Sequence, residues 1–174
     1  MQNNYSEQMS FDEVYKKYYN ELRRFGCQLN ISIEKSEDLV QETFLRFYNE
    51  LKKDVVFDNP RAWLYKVFLN LFKTNINSNR HELNNSEILV KAEERSFDLQ
   101  SEYIRNEKQR IVLEMLDQLT KKEKEILLLY NNGFSYTEMA DIMGINPGSV
   151  GKTLVRAIER LKETLKIHYH EMFE

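Results

Sequence analysis

The sequence predicts an all-α protein of two small helical domains joined by a flexible linker, the second domain carrying a helix-turn-helix. Three observations point there. Only five glycines and two prolines occur in 174 residues, roughly a third of average usage. The turns that a fold of many short strands needs every ~8–12 residues are therefore missing. Helix-start signals recur at Ser10-Phe11-Asp12-Glu13, Thr120-Lys121-Lys122-Glu123 and Ser135-Tyr136-Thr137-Glu138. In such a capping box the hydroxyl accepts from a free backbone N–H and the glutamate reaches back. Finally, between Asn75 and about Ser101 the apolar periodicity breaks and Asn, Ser and Glu take over, the composition of a linker.

The elements follow in order. After Ser10, the residues Phe11, Val14, Tyr15, Tyr18, Leu22 and Phe25 fall at helical spacing, with Gly26-Cys27 either continuing or ending that helix. A second helix is expected from Ser36 to about Leu51, its apolar members Leu39, Val40, Phe44, Leu45, Phe47 and Tyr48. Asn59-Pro60 opens a third, because Asn caps and Pro fits the first helical position, where no N–H is needed. Its body carries Trp63, Leu64, Val67, Phe68, Leu71 and Phe72. Domain one is thus assigned to residues 1–77 and the acidic, polar linker to 78–102, with a short helix around Glu87–Glu94. Domain two, 103–174, is expected to begin with a helix from about Tyr103 to Leu119.

Net charge is -3, with 25 Lys+Arg against 28 Asp+Glu, which by itself argues against a generic nucleic-acid binder. The last forty residues answer that objection. Gly133 reads as a left-handed helix stop, and Ser135 opens a short helix with Met139, Ala140, Ile142 and Met143. Gly144 turns the chain, and Asn146-Pro147 starts a final helix whose buried stripe is Val150, Leu154, Ile158, Leu161 and Leu165. A short helix, a Gly turn and a longer helix make a helix-turn-helix, whose second helix lies in the major groove with its N-terminal residues at base edges. Lys152, Arg156 and Arg160 recur every four residues on one face of it. Residues 147–168 hold five basic and two acidic side chains, whereas residues 78–109 hold five basic and seven acidic.

At these residues a resemblance becomes specific. Phe134 through Ile145, followed by Gly148-Ser149-Val150, Arg156-Ala157 and Leu161, resembles the fourth conserved region of bacterial sigma factors. Independently, Glu37 through Phe47 resembles the polymerase-binding helix of region two, and Pro60 through Val67 with Asn70-Leu71 resembles the helix that engages and melts the promoter. Length, order and short linker are similar to the extracytoplasmic-function group. The resemblance implies a factor that binds core RNA polymerase and directs promoter-specific initiation under an anti-sigma factor. Its DNA partners would be double-stranded promoter DNA and the melted non-template strand.

The implied polymerase-binding set is Asp38, Leu39, Gln41, Glu42, Phe44, Leu45 and Arg46. Of these, Asp38, Gln41, Glu42 and Arg46 form a polar stripe, while Leu39, Phe44 and Leu45, like Phe47, read as core or partly core rather than as contacts. The implied promoter-melting set is Arg61, Trp63, Tyr65, Lys66, Asn70 and Lys73, beside the loop Lys52–Asn59, with Trp63, Phe68 and Phe72 at core spacing. Base–aromatic stacking worth roughly 1–3 kcal/mol would help hold an unpaired base there. In the helix-turn-helix, Ser135, Tyr136, Ser149, Lys152, Thr153, Arg156 and Arg160 are the implied DNA contacts. Two departures stand out: Phe72–Arg80 carries only two cations, Lys73 and Arg80, where relatives cluster arginines, and Gly151 stands where a long polar residue is usual.

Other classes find little support. No catalytic, phosphate-loop or HExxH pattern occurs, Cys27 fits a core position, and neither His81 nor the pair His168 and His170 suggests a metal. No cofactor is expected. A lone cysteine, no basic residue before Lys16 and no apolar run longer than Ile126–Tyr130 predict a cytoplasmic protein without membrane insertion. A stand-alone dimeric helix-turn-helix regulator is the alternative, and it leaves the Asp38–Phe47 match unexplained. A helical enzyme or adaptor lacks any catalytic constellation.

Overall fold

The computed structural model describes residues 9–83 and 115–173. Among the described residues the regular structure is helical, in two compact units. The linker beyond residue 83, the expected helix around Glu87–Glu94 and residues 103–114 of the expected Tyr103–Leu119 helix lie outside the described residues. No described helix is long and apolar enough to cross a membrane.

In the first unit, α1 (Phe11–Gln28) starts on the predicted capping box: the Glu13 carboxylate accepts from the Ser10 N–H at 2.7 Å, and the Ser10 hydroxyl accepts from the Glu13 N–H at 3.3 Å. Val14, Tyr18, Leu22 and Phe25 bury one stripe, and the helix continues through Gly26 and Cys27. The next helix, α2 (Ile33–Leu51), begins one turn earlier than the spacing suggested. Ser32, extended at φ -61° and ψ 159°, is the cap and accepts from the Lys35 N–H. Ser36 is instead fully buried inside the helix, where its hydroxyl donates to the Arg23 carbonyl at 2.8 Å. The reason is Gly26: a β-carbon there would lie 2.1 Å from Ser36 Oγ, so α1 and α2 meet where one side chain is missing.

Asn59 opens α3 (Pro60–Leu83) as expected, its side-chain oxygen accepting from the Ala62 N–H at 3.0 Å. The helix runs past the expected boundary at 77. Leu64, Tyr65, Phe68, Leu69 and Phe72 are buried, and α3 packs along α2. Side chains such as Phe25, Phe47 and Phe68, each essentially without solvent contact, contribute about 1.5–3 kcal/mol apiece.

In the second unit, buried Met115, Leu116 and Leu119 lead into α4 (Lys121–Asn131), which starts on the Thr120 capping box. It ends in a Schellman turn: Phe134 N–H donates to Leu129 O and Gly133 N–H to Tyr130 O, with Gly133 at φ 78°. The same device closes α5 (Tyr136–Met143), with Ile145 N–H on Ala140 O, Gly144 N–H on Asp141 O and Gly144 at φ 64°. A capping box of Ser135 with Glu138 starts that helix. The long α6 (Pro147–Phe173) packs against both α4 and α5 through buried Val150, Leu154 and Ala157.

Candidate functional site

On α2 the polar stripe exists as an accessible surface. Asp38 and Gln41 are exposed, and Arg46 pairs with Glu42 at 2.7 Å one turn away. Leu39 and Phe44 are corrections: both are buried, 6% and 2% exposed, because they face the helices packed behind α2. Leu45 goes the other way. It is 54% exposed, and its helical position lies between those of Asp38, Gln41 and Glu42, so an apolar side chain sits amid the polar stripe. Tyr48, also exposed, packs its ring against Phe11 at 5.4 Å and takes the Lys52 ammonium over its face at 4.4 Å.

The promoter-melting set divides more sharply. Tyr65 has no exposure; its hydroxyl donates to Glu21 Oε1 at 2.9 Å. The same carboxylate oxygen receives Arg61 Nε at 2.9 Å and also Arg61 Nη2. Both residues therefore serve a network tying α3 to α1, in which Tyr65 is wholly buried and Arg61 is partly exposed. Burial, then the Glu21 carboxylate, raises the Tyr65 phenol far above its ordinary value. Burial opposes the charge of Arg61, yet its bonds to Glu21 leave its pKa raised. Trp63 is half-buried, against Phe47 at 5.6 Å and Phe57 at 5.1 Å. Phe57 thereby holds one point of the 52–59 loop while neighbouring Val56 is exposed. Lys66 and Lys73 are half-buried, and Asn70 is exposed.

On α6, Lys152 and Arg156 are exposed and, among the described residues, form no ion pair. Ser149 and Thr153 are half-buried, their hydroxyls donating to Asn146 O at 2.7 Å and Ser149 O at 2.9 Å, which leaves them as acceptors. The Ser135 hydroxyl is committed to the capping box, donating to Glu138 Oε2 at 2.7 Å. Arg160 is exposed but engaged within the unit. Its guanidinium donates to Glu123 Oε2 at 2.8 Å, the oxygen that also receives the Thr120 N–H and hydroxyl. Burial alone would raise the Glu123 pKa, but Thr120 and Arg160 outweigh it and hold the carboxyl below its ordinary value. Arg160 thus braces α6 against α4.

Spacing missed three residues. Glu21 gave no signal, since an acid on an amphipathic helix is ordinary. Glu123 was recognised as a cap but not as an ion-pair partner, because Arg160 is 37 residues away. Val155, 53% exposed beside Arg156, could have been found by extending the face of Lys152.

Fold and surfaces together define a two-domain helical protein with a helix-turn-helix in its second half. Comparison with known proteins gives the particular family. Residues 14–82 match Sigma-70 region 2 and residues 109–161 match Sigma-70, region 4. The chain is 29% identical to the ECF RNA polymerase sigma factor SigM of Bacillus subtilis, over 88% of this chain and 94% of that one. It is also 29% identical to the ECF RNA polymerase sigma factor EcfG of Rhodopseudomonas palustris, over 87% and 83%. Among solved structures it resembles the sigma factor RpoE of Bartonella quintana, determined in complex with the anti-sigma factor NepR. There the TM-score is 0.71 at 27% identity, covering 90% of this chain and 97% of that one. The chain belongs to the sigma-70 family as an extracytoplasmic-function sigma factor, which directs transcription initiation and is not an enzyme.

Proposed function

We propose that the two units divide the work by the residues that remain accessible. Asp38, Gln41, Glu42, Leu45 and Arg46 form the contact with core polymerase. The observation that carries this reading is Leu45: a solvated leucine within a charged stripe suits an interface whose centre is apolar and whose rim is polar. Lys66, Asn70 and Lys73, with the 52–59 loop, meet the melted strand. Lys152 and Arg156 hold the duplex of the distal promoter element, with Ser149 and Thr153 beside them. The factor acts in the cytoplasm, and an anti-sigma factor restrains it, by analogy with the complex of its Bartonella relative. For domain organisation, the reading keeps region 2 to about residue 83 and region 4 from about 103.

Run-off transcription with purified core polymerase on genomic promoter fragments tests the whole. Promoter-specific transcripts and co-elution with core enzyme are expected. Replacing Leu45 by Ala should weaken core binding about thirtyfold, the ~2 kcal/mol of an interface hot spot, without lowering the unfolding midpoint. Unchanged core affinity would remove the α2 stripe from the contact.

A further inference from the structure

Gly151 stands in the interior of α6, where a glycine costs helix stability relative to alanine. Its surroundings give it a use. The nearest atom to a β-carbon built there is Tyr136 Cε2 at 3.6 Å, an ordinary contact, so the glycine is not forced by crowding or by a left-handed backbone. What it leaves instead is a shallow notch. One wall is the Tyr136 ring, 49% exposed. The other is Val155, 53% exposed, which lies one turn on from Gly151 and on the same side of the helix. Two exposed cations of this helix, Lys152 and Arg156, each follow a notch residue directly in sequence. An apolar concavity therefore borders the cationic face of the helix that enters the major groove.

Only one base offers an apolar group in that groove, the 5-methyl of thymine. Resting on the reading of α6 as the groove-reading helix, we propose that the notch of Gly151, Tyr136 and Val155 receives the methyl group of one thymine in the distal promoter element. A long polar side chain at position 151 would fill this space and replace apolar selection with hydrogen bonding. The flanking cations supply the phosphate attraction that brings the methyl into the notch.

The test uses the full-length factor assembled with core RNA polymerase. Duplexes are first selected by this complex from a library randomised in the distal element, and each selected thymine is then replaced in turn by deoxyuridine, which removes only the methyl. At one position the replacement should weaken binding about three- to fivefold, the size expected for one buried methyl group. In Val155→Ala and in Gly151→Gln that penalty should disappear. Gly151→Gln gains helix propensity, so its loss of discrimination cannot be ascribed to unfolding. If no deoxyuridine weakens binding, or if the penalty persists in both variants, the proposal is overturned. If Lys152→Ala and Arg156→Ala also leave binding unchanged, the reading of α6 itself fails, and the proposal falls with it.

Discussion

Two helical glycines should respond to the same substitution with opposite signs. At Gly26 a β-carbon would lie 2.1 Å from Ser36 Oγ and 2.9 Å from Phe68 Cζ, and Ser36 is fully buried with its hydroxyl bound to the Arg23 carbonyl. Forcing α1 away from α2 costs about 1–3 kcal/mol as overpacking, and the Ser36 bond is worth about 1 kcal/mol more. Removing a helical glycine returns about 0.5–1 kcal/mol. Gly26→Ala should therefore destabilise the first unit by about 1–3 kcal/mol, lowering its midpoint by roughly 10 °C. At Gly151 nothing lies closer than 3.6 Å, so only the propensity gain remains, and Gly151→Ala should stabilise the second unit by about 0.5–1 kcal/mol. Trp63 is the single tryptophan and belongs to the first unit, so its fluorescence on heating follows that unit alone. Amide exchange along α6 follows the second. An unmoved or raised Trp63 transition in Gly26→Ala would refute the close approach. Shifts of the same sign at both sites would refute the reasoning that distinguishes them.

The other expectations are more compact. Arg156→Ala should lower the slope of log affinity against log salt for promoter duplex by about one. Arg160→Ala should leave that slope unchanged and instead increase amide exchange in α4 and α6, because its partner is Glu123. Glu123 is held below its ordinary value, so its contribution to stability is complete above the unfolded carboxylate pKa of about 4.3. That contribution is lost as pH falls through the lower folded value. Unfolding of the second unit followed against pH should show this acid limb, and Glu123→Gln should flatten it. Arg61→Ala, which leaves the half-buried Glu21 without its cation, should lower the Trp63 transition by about 1.5–3 kcal/mol, the range for a charged hydrogen bond. An unmoved transition would show that the Glu21 pair does not hold the first unit together.

What could be read beforehand follows from the range of the interactions concerned. Capping boxes, Schellman glycines and the Asn-Pro start act within a few residues, so Ser10, Thr120, Ser135, Gly133, Gly144 and Asn59 were legible in sequence. The start of α2 was not, because Ser32 and Ser36 are both plausible caps and only the approach of Gly26 places one of them inside the core. The candidate surfaces were legible as faces rather than as side chains. Helical spacing brought Asp38, Gln41 and Arg46 together, whereas Leu45 was assigned inward for its apolar side chain despite its position in the stripe. Spacing also left Arg61, Tyr65 and Arg160 outward. Each of those last three is claimed by an acid that sequence separation conceals: Glu21 lies 40 and 44 residues away and Glu123 lies 37.

The junction between α5 and α6 has a consequence for how such a factor changes its target. The angle between the helices is fixed by main-chain bonds around Gly144, by the Asn146 turn and by Val150 underneath. The Asn146 turn is closed by the Gly148 N–H on Asn146 Oδ1, and none of these groups belongs to positions 151, 152, 155 and 156, which carry the notch and its cations. Frame and readout are therefore separable: the outward residues can be exchanged as a set while the scaffold keeps its shape. A helix-turn-helix built this way is a socket for interchangeable alphabets. Grafting the four outward positions of another such factor should transfer promoter preference without re-engineering the fold.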